Sequence, residues 1–173
     1  MMKTLQNLCD KIEIAVVWLA GFGALIVLVQ MVWISYGVMM RYVFNSPDGT
    51  VTEATALLLF PVAFAGLAYA LKEDAYPKVT MLTDLLSPRL RHMVDILNLA
   101  LMLGIGGFFG LAAVDATIRS FESGAASEIL LWSRYIFWAP GALSLVVFAI
   151  YAVLRLALLI AAGPSEPQPQ PAK

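Results

Sequence analysis

The chain has few side chains whose types and spacing could support catalysis or metal binding. Its only cysteine is Cys9 and its only histidine is His92. A disulfide needs two cysteines, a zinc site needs three or four closely spaced ligands, and the haem anchor of a respiratory complex needs a pair of histidines. No Ser/His/Asp set and no pair of glutamates is spaced for hydrolysis. The sequence therefore predicts no catalytic residue, no metal site and no cofactor, and it does not indicate an enzyme.

The other ionisable residues separate four uncharged stretches, and these stretches define the fold. Hydrophobic residues make up 61% of the 173 residues and charged residues 13%, with a mean hydropathy of +0.82. A helix of roughly 20 apolar residues crosses the hydrocarbon core of a bilayer, and a helix pairs its own backbone groups there. We therefore predict an all-α integral membrane protein with four transmembrane helices, over residues 14–40, 54–71, 96–114 and 135–154. The first stretch is too long for the apolar region of a signal peptide, so we expect it to be a retained helix.

The distribution of Lys and Arg predicts how these helices are oriented. Eight of the eleven basic residues flank the two termini and the connector between the second and third helices, and only Arg41, Arg119 and Arg134 lie at the other side. Basic residues mark the cytoplasmic side, so we predict that both termini are cytoplasmic. The balanced charge, with twelve acidic residues, gives no basic footprint for nucleic acid.

The connector and the C-terminal tail have distinctive patterns. Residues 79–86 place Met81, Leu82, Leu85 and Leu86 on one helical face, which predicts a short interfacial helix, and a simple connecting loop is the alternative. Ser87-Pro88 is typical of the start of a helix. Residues 1–162 form the predicted transmembrane domain, and residues 163–173 form a disordered, Pro-rich cytoplasmic tail.

Within the spans the sequence contains residues that affect helix shape and packing, and few polar side chains. The prolines at 61 and 140 predict kinks. Gly106 and Gly110 form a GxxxG that permits close helix contact, and Gln30 is expected to make an interhelical hydrogen bond. Aromatic residues at the helix ends and within the spans are interpreted as an interfacial belt, namely Trp18, Tyr42, Phe44, Tyr69, Tyr76, Trp132, Tyr135, Trp138 and Tyr151.

Three fragments in order resemble a known family. The first is Arg41-Tyr42-Val43-Phe44-Asn45-Ser46-Pro47 followed by Glu53, and the second is Ala70-Leu71-Lys72-Glu73 with Lys78 and the Arg89-Leu90-Arg91 run. The third is Trp132, Tyr135 and Pro140-Gly141. Together they resemble the small membrane subunit of TRAP transporters, the DctQ-like family, over nearly the whole length before the tail. The chain departs from the family pattern at Thr50, where the family has Trp, at Thr52, where it has Glu, and at Tyr76 and Thr80, where it has His and Asp.

This resemblance implies a function as well as a fold. In the bacterial inner membrane such subunits pair with a large multi-helix permease subunit, which holds the sodium and substrate sites. A periplasmic substrate-binding protein delivers the solute, which is mostly an organic acid. The small subunit is then a non-catalytic scaffold surrounded by membrane lipid. The resemblance assigns partner or structural roles to Arg41, Tyr42, Asn45 and Glu53 at the outer turn, to Lys72, Glu73 and Lys78 at the inner turn, and to Trp132, Tyr135 and Pro140.

Two other classes of function remain open from the residues alone. The GxxxG and the kinks are compatible with a self-associating four-helix pore. A membrane enzyme or the membrane anchor subunit of another complex is the other alternative, and it would require bound haem, metal or quinone.

Overall fold

The structure is a bundle of α-helices in which four segments are long and apolar enough to cross a membrane. The computed structural model describes residues 2–76 and 86–163. No β-strand occurs in those ranges, so the predicted all-α fold with four transmembrane helices is confirmed. The helices are α1 (Met2–Tyr42), α2 (Gly49–Ala65), α3 (Leu67–Lys72), α4 (Pro88–Glu122) and α5 (Tyr135–Ala162), with α2 and α3 together forming the second span.

The helices extend beyond the uncharged stretches that predicted them. α1 continues towards the N-terminus past Asp10 and Lys11, and α4 contains Asp95 near one end and Asp115 near the other. Charged residues are tolerated where a helix leaves the hydrocarbon core, while its backbone hydrogen bonds continue. α4 begins at Pro88 as predicted, although the Ser87 side chain makes no capping hydrogen bond.

The second span is interrupted at Gly66, which the sequence did not predict, and the kinks predicted at Pro61 and Pro140 stay predictions. The helix continues through Pro61 and ends at Ala65, and α3 starts at Leu67. The Gly66 N–H bonds to the Phe64 carbonyl, which is too near in sequence for a regular helical bond. The backbone at Gly66, with φ of −90° and ψ of −8°, lies in a region that any residue can adopt. The helix likewise runs through Pro140 in α5.

In the described bundle the last helix contributes more core residues than any other helix. α5 packs against each of the other four helices, whereas α4 packs extensively only against α5 within the ranges described. Tyr151 and Leu145 on α5 are 0% and 1% exposed, and Val16 on α1 is 0% exposed. In contrast, only 11% of the most apolar window of α1 is buried inside the chain, so most of that helix faces its surroundings.

Glycines allow the close helix contacts that the sequence predicted. A Cβ added at Gly106 would lie 2.6 Å from Cδ1 of Phe148, and one at Gly110 would lie 3.7 Å from Cβ of Leu145. The glycine pair of α4 is therefore used inside this chain, against α5. At Gly107, on a different face of α4, no atom of a described residue outside the local helix lies within 4 Å of the corresponding position.

Gln30 makes the interhelical hydrogen bond that the sequence predicted. Its Nε2 donates to the carbonyl of Thr55 at 3.2 Å, so it joins α1 to α2. The Thr55 hydroxyl in turn donates to the Val51 carbonyl at 2.8 Å. Polar groups in a bilayer need such partners, and Gln30 is thereby accounted for as a structural residue.

Candidate functional site at the two ends of the bundle

Polar side chains concentrate at the two ends of the bundle. The Asn45 end consists of the turn at residues 43–48 and the loop at residues 123–134, and the Tyr76 end includes the N-terminal part of α1 and the C-terminal parts of α3 and α5. Among the residues that the structure describes, no group of three or more His, Cys, Asp or Glu side chains could hold a metal ion.

The turn between α1 and α2 is held by backbone hydrogen bonds and by a helix cap. The Ser46 N–H bonds to the Met40 carbonyl at 3.0 Å, and Asn45 adopts a left-handed conformation with φ of 48°. Asparagine tolerates that region better than most residues. Asp48 caps α2, since its Oδ1 accepts from the Thr50 N–H at 2.9 Å and from the Thr50 hydroxyl at 2.7 Å. These bonds hold the pKa of the Asp48 carboxyl below its usual value.

Glu53 connects α2 to the loop at residues 123–134. Its Oε1 accepts from the N–H groups of Glu128 at 2.6 Å and Ile129 at 3.1 Å, and its Oε2 accepts from Ile129 at 2.9 Å and Leu130 at 2.7 Å. Three consecutive backbone donors thus converge on one carboxylate, a strong arrangement because the acceptor is charged. The contact joins positions about 75 residues apart and brings both turns of the Asn45 end together.

The loop at residues 123–134 has its own internal order. The Ser127 N–H bonds to the Trp132 carbonyl at 2.8 Å, and the Trp132 N–H bonds to the Ser127 hydroxyl at 3.1 Å. The Arg134 N–H bonds to the Ala125 carbonyl at 2.9 Å. Leu131 has φ of 55° at the tip, where its side chain is 74% exposed. The loop is therefore a closed turn that presents an apolar residue outwards.

The three remaining predicted residues of this end lie at or within the start of α5. Trp132 stacks on Phe137 with ring centroids 6.1 Å apart, and Tyr135 meets Phe121 edge-on at 5.3 Å. Pro140 lies inside α5, where its carbonyl accepts from the Ser144 hydroxyl at 2.9 Å. All three pack locally, and none of them contacts Glu53 through a hydrogen bond in the structure described.

Arg41 and Tyr42 line a groove between α1 and α2, which we call the α1–α2 groove. Its volume is about 480 Å³, and its lining residues are Ile34, Gly37, Val38, Arg41, Tyr42, Asp48, Val51, Thr52, Thr55, Ala56 and Leu59. Glu53 is not among them, because its carboxylate is directed to the loop at residues 123–134. The predicted residues of the Asn45 end are thus divided between two places, with Arg41 and Tyr42 in the α1–α2 groove and Glu53 at the loop of residues 123–134.

At the Tyr76 end, Lys72 and Glu73 form an exposed ion pair at 3.4 Å. The Lys72 ammonium also lies 5.7 Å from the centroid of the Tyr69 ring. The half-buried Tyr76 donates its hydroxyl to the Leu67 carbonyl at 2.9 Å, and burial raises the pKa of that hydroxyl. Lys78 and nearly all of the predicted interfacial helix at residues 79–86 lie outside the described residues, so both stay predictions.

A second contact at this end was missed by the sequence analysis. Tyr151 was interpreted as a belt residue, but it is fully buried, and its hydroxyl donates to Oε1 of Glu13 at 3.0 Å. Arg155 lies 5.9 Å from the Tyr151 ring and reaches the Leu71 carbonyl at 3.5 Å. These bonds tie α1, α3 and α5 together. The i, i+4 spacing of Tyr151 and Arg155 was visible in the sequence, but their partners in α1 and α3 were not.

A model of the tripartite ATP-independent periplasmic transporters, DctQ component, matches residues 30–161 of this chain. The match begins within α1 and ends within α5, so it includes parts of the first and last spans and the whole of the second and third. It also contains the α1–α2 groove, the Glu53 contact and the Lys72–Glu73 pair. No curated protein and no solved structure matches the chain.

Proposed function

Because the chain belongs to the DctQ family of tripartite ATP-independent periplasmic transporters, and so is a transporter component and not an enzyme, we propose a specific role for it. It is the small, non-catalytic scaffold subunit of a sodium-coupled importer of an organic acid. It supports a large permease subunit in the bacterial inner membrane, with both termini in the cytoplasm, and contributes to the docking of a periplasmic substrate-binding protein.

The observation that supports the scaffold role is the absence of ionisable side chains from the centres of the spans. Residues 14–40, 54–71, 96–114 and 135–154 contain no Asp, Glu, Lys, Arg or His. Ion coupling and proton relays in membranes usually depend on such groups. Gln30, a polar residue at depth, is bonded to the Thr55 carbonyl. Coupling chemistry therefore belongs to the partner permease.

The Asn45 end supports the docking role. Under the proposed orientation it faces the periplasm, and it exposes Tyr42, Phe44, Ile129 and Leu131 to between 56% and 78%. The Glu53 contact fixes the loop that bears Leu131, so a binding protein would meet a preformed surface and lose less conformational entropy on docking. Arg41, Asn45, Trp132, Tyr135 and Pro140 shape the same end, while Lys72, Glu73 and Lys78 form the cytoplasmic turn in this proposal.

Reconstitution tests the scaffold role. Vesicles that contain this chain, the permease and the binding protein are expected to take up the organic acid only when sodium is present, and removal of this chain should abolish uptake. The chain should also co-purify with the permease. Uptake by vesicles that contain only this chain, or full uptake without it, would contradict the proposal.

A charged substitution at the loop tip tests the docking role separately. Leu131→Asp should raise the concentration of binding protein needed for half-maximal uptake, while co-purification with the permease stays unchanged. Ser123→Asp adds the same charge at the base of the loop, where the side chain is also exposed, and serves as the matched control. Equal effects of both substitutions would argue against docking at the tip.

A further inference from the structure

Arg41 and Asp48 lie in the lining of the α1–α2 groove without forming an ion pair with each other. No described residue forms a hydrogen bond or ion pair with the Arg41 guanidinium, which is exposed at the end of α1. Asp48 uses Oδ1 for both of its bonds to Thr50, and Oδ2 accepts none from the residues described. The groove thus offers a guanidinium and a carboxylate oxygen that no described residue engages.

Beyond these two groups the groove is mainly apolar, and Ile34, Val38 and Leu59 of its lining are exposed at the surface of the described bundle. Its deeper lining includes Ile34, Val38, Val51, Ala56 and Leu59, with Leu59 64% exposed. Because both α1 and α2 cross the membrane, this lining is expected to face hydrocarbon, while Arg41 and Asp48 lie at helix ends, near the headgroups. A ligand with two opposite charges at one end and an apolar chain at the other complements this arrangement of charged groups near the headgroups and apolar residues at depth.

The groove is long enough for part of an acyl chain. Its lining runs from Ile34 to Arg41, about two turns of α1 or roughly 10 Å, and its volume is about 480 Å³. The charged groups at one end and the apolar lining along the rest match the headgroup and the acyl chain of a lipid.

We propose that the α1–α2 groove binds one membrane phospholipid with a primary-amine headgroup, such as phosphatidylethanolamine. The phosphate accepts hydrogen bonds from Arg41, the ammonium donates to Oδ2 of Asp48, and one acyl chain lies along Val38, Ala56 and Leu59. Guanidinium groups bind phosphate oxygens well because their donors match the spacing of those oxygens. The proposal does not depend on the transported solute or on sodium coupling, and requires only that the chain spans a bilayer.

Lipid competition tests this proposal on the full chain in complex with the permease. The complex is placed in nanodiscs of equal parts phosphatidylethanolamine, phosphatidylglycerol and phosphatidylcholine, and the lipids retained on release are counted by native mass spectrometry. We expect one phosphatidylethanolamine per chain to be retained preferentially. Phosphatidylglycerol lacks the ammonium, and the quaternary ammonium of phosphatidylcholine has no N–H to donate to Asp48.

Substitutions identify the site. Arg41→Gln and Asp48→Asn should each reduce this retention about tenfold, the loss expected for one charge-assisted hydrogen bond. Asparagine caps helices as well as aspartate does, so Asp48→Asn keeps the start of α2 intact. Ala56→Phe should fill the groove and abolish retention. Arg119→Gln and Ala112→Phe, at exposed positions on α4 outside the groove, are the matched controls.

Three results would overturn the proposal. One is equal retention of the three lipids, and a second is an equal loss in the groove variants and in the α4 controls. The third is a cross-link between an Ala56→Cys variant and the permease in a complex that retains no lipid. Such a cross-link would show that a protein segment fills the groove. These outcomes are independent of sodium-driven uptake, so failure of the lipid site and failure of the scaffold role can be distinguished.

Discussion

Gly106→Ala and Gly107→Ala form a matched pair that tests how α4 packs. Both replace a glycine in the same helix, so the effect of helix propensity is nearly the same in each. Of these two glycines, Gly106 is the one that faces α5, and its new Cβ would lie 2.6 Å from Cδ1 of the buried Phe148 ring. In the part of the chain that the structure describes, no neighbouring atom lies within 4 Å of a Cβ added at Gly107. We expect Gly106→Ala to be the less stable variant.

The size of the difference follows from the contact that must be relieved. Carbon atoms pack at about 3.5–4.0 Å, so the Phe148 ring or the helix has to move by roughly 1 Å. Overpacking of this kind costs about 1–3 kcal/mol. For a chain of this length each kcal/mol shifts the unfolding temperature by about 2–4 °C, so a difference of about 2 kcal/mol corresponds to about 4–8 °C between the two variants.

The single cysteine provides the assay. Cys9 is 5% exposed and belongs to the same cluster of buried residues as Phe148. A thiol-reactive dye that fluoresces on reaction therefore reports when this cluster opens as the purified protein is heated in detergent. Gly106→Ala should unfold at a lower temperature than Gly107→Ala, and both should remain helical by circular dichroism at low temperature.

Two results would refute this reasoning. If both variants lose stability equally, the Gly107 face of α4 must be packed against something outside the chain, and a change in oligomeric state would then favour the self-associating pore. If neither loses stability, the Phe148 ring is not confined by α4 and the helix contact is looser than the structure indicates.

Three further substitutions test the ends of the bundle. Glu53→Gln should speed cleavage of the loop at residues 123–134 by a protease added on the side of the membrane where that loop lies, because a neutral amide accepts fewer N–H bonds than a carboxylate. The fragments are quantified by mass spectrometry, and unchanged yields would contradict this. Tyr151→Phe should lower the free energy of unfolding by about 1–3 kcal/mol, because it removes the hydrogen bond to the Glu13 carboxylate. Tyr42→Phe is the control and should leave the free energy of unfolding unchanged, since Tyr42 is 78% exposed. Asp48 has a lowered pKa, so its stabilising effect is present above the usual pKa of aspartate and is lost as the pH falls through the lowered value. Asp48→Asn should therefore flatten the acid limb of a plot of unfolding temperature against pH.

Hydropathy was sufficient to predict the four spans, because each helix must satisfy its own backbone in lipid. The start of α4 at Pro88 and the packing role of Gly106 and Gly110 also followed from local patterns. Gln30 was assigned an interhelical bond for the same reason, since a polar side chain at depth needs a partner. The orientation of the bundle and the helix at residues 79–86 stay predictions.

Long-range contacts could not be predicted from one sequence. Glu53 was singled out by a family pattern, but nothing local indicated that its partners are backbone groups about 75 residues away. Tyr151 was misinterpreted because burial by a neighbouring helix has no local signature, and a tyrosine near a helix end is typical of a lipid interface. The interruption at Gly66 was missed because the proline five residues earlier was the stronger signal.

The central position of α5 has a consequence for biosynthesis. α1 to α4 emerge from the ribosome before the helix against which they all pack. Each of the first three spans, with α2 and α3 counted as one, can insert alone because a helix satisfies its own backbone in lipid, and association of the inserted helices is a separate, later stage. The contacts of α1 with α2 and α3 can form earlier, but α4 packs extensively only against α5 in the described bundle, so α4 can join the bundle only after α5 has been synthesised.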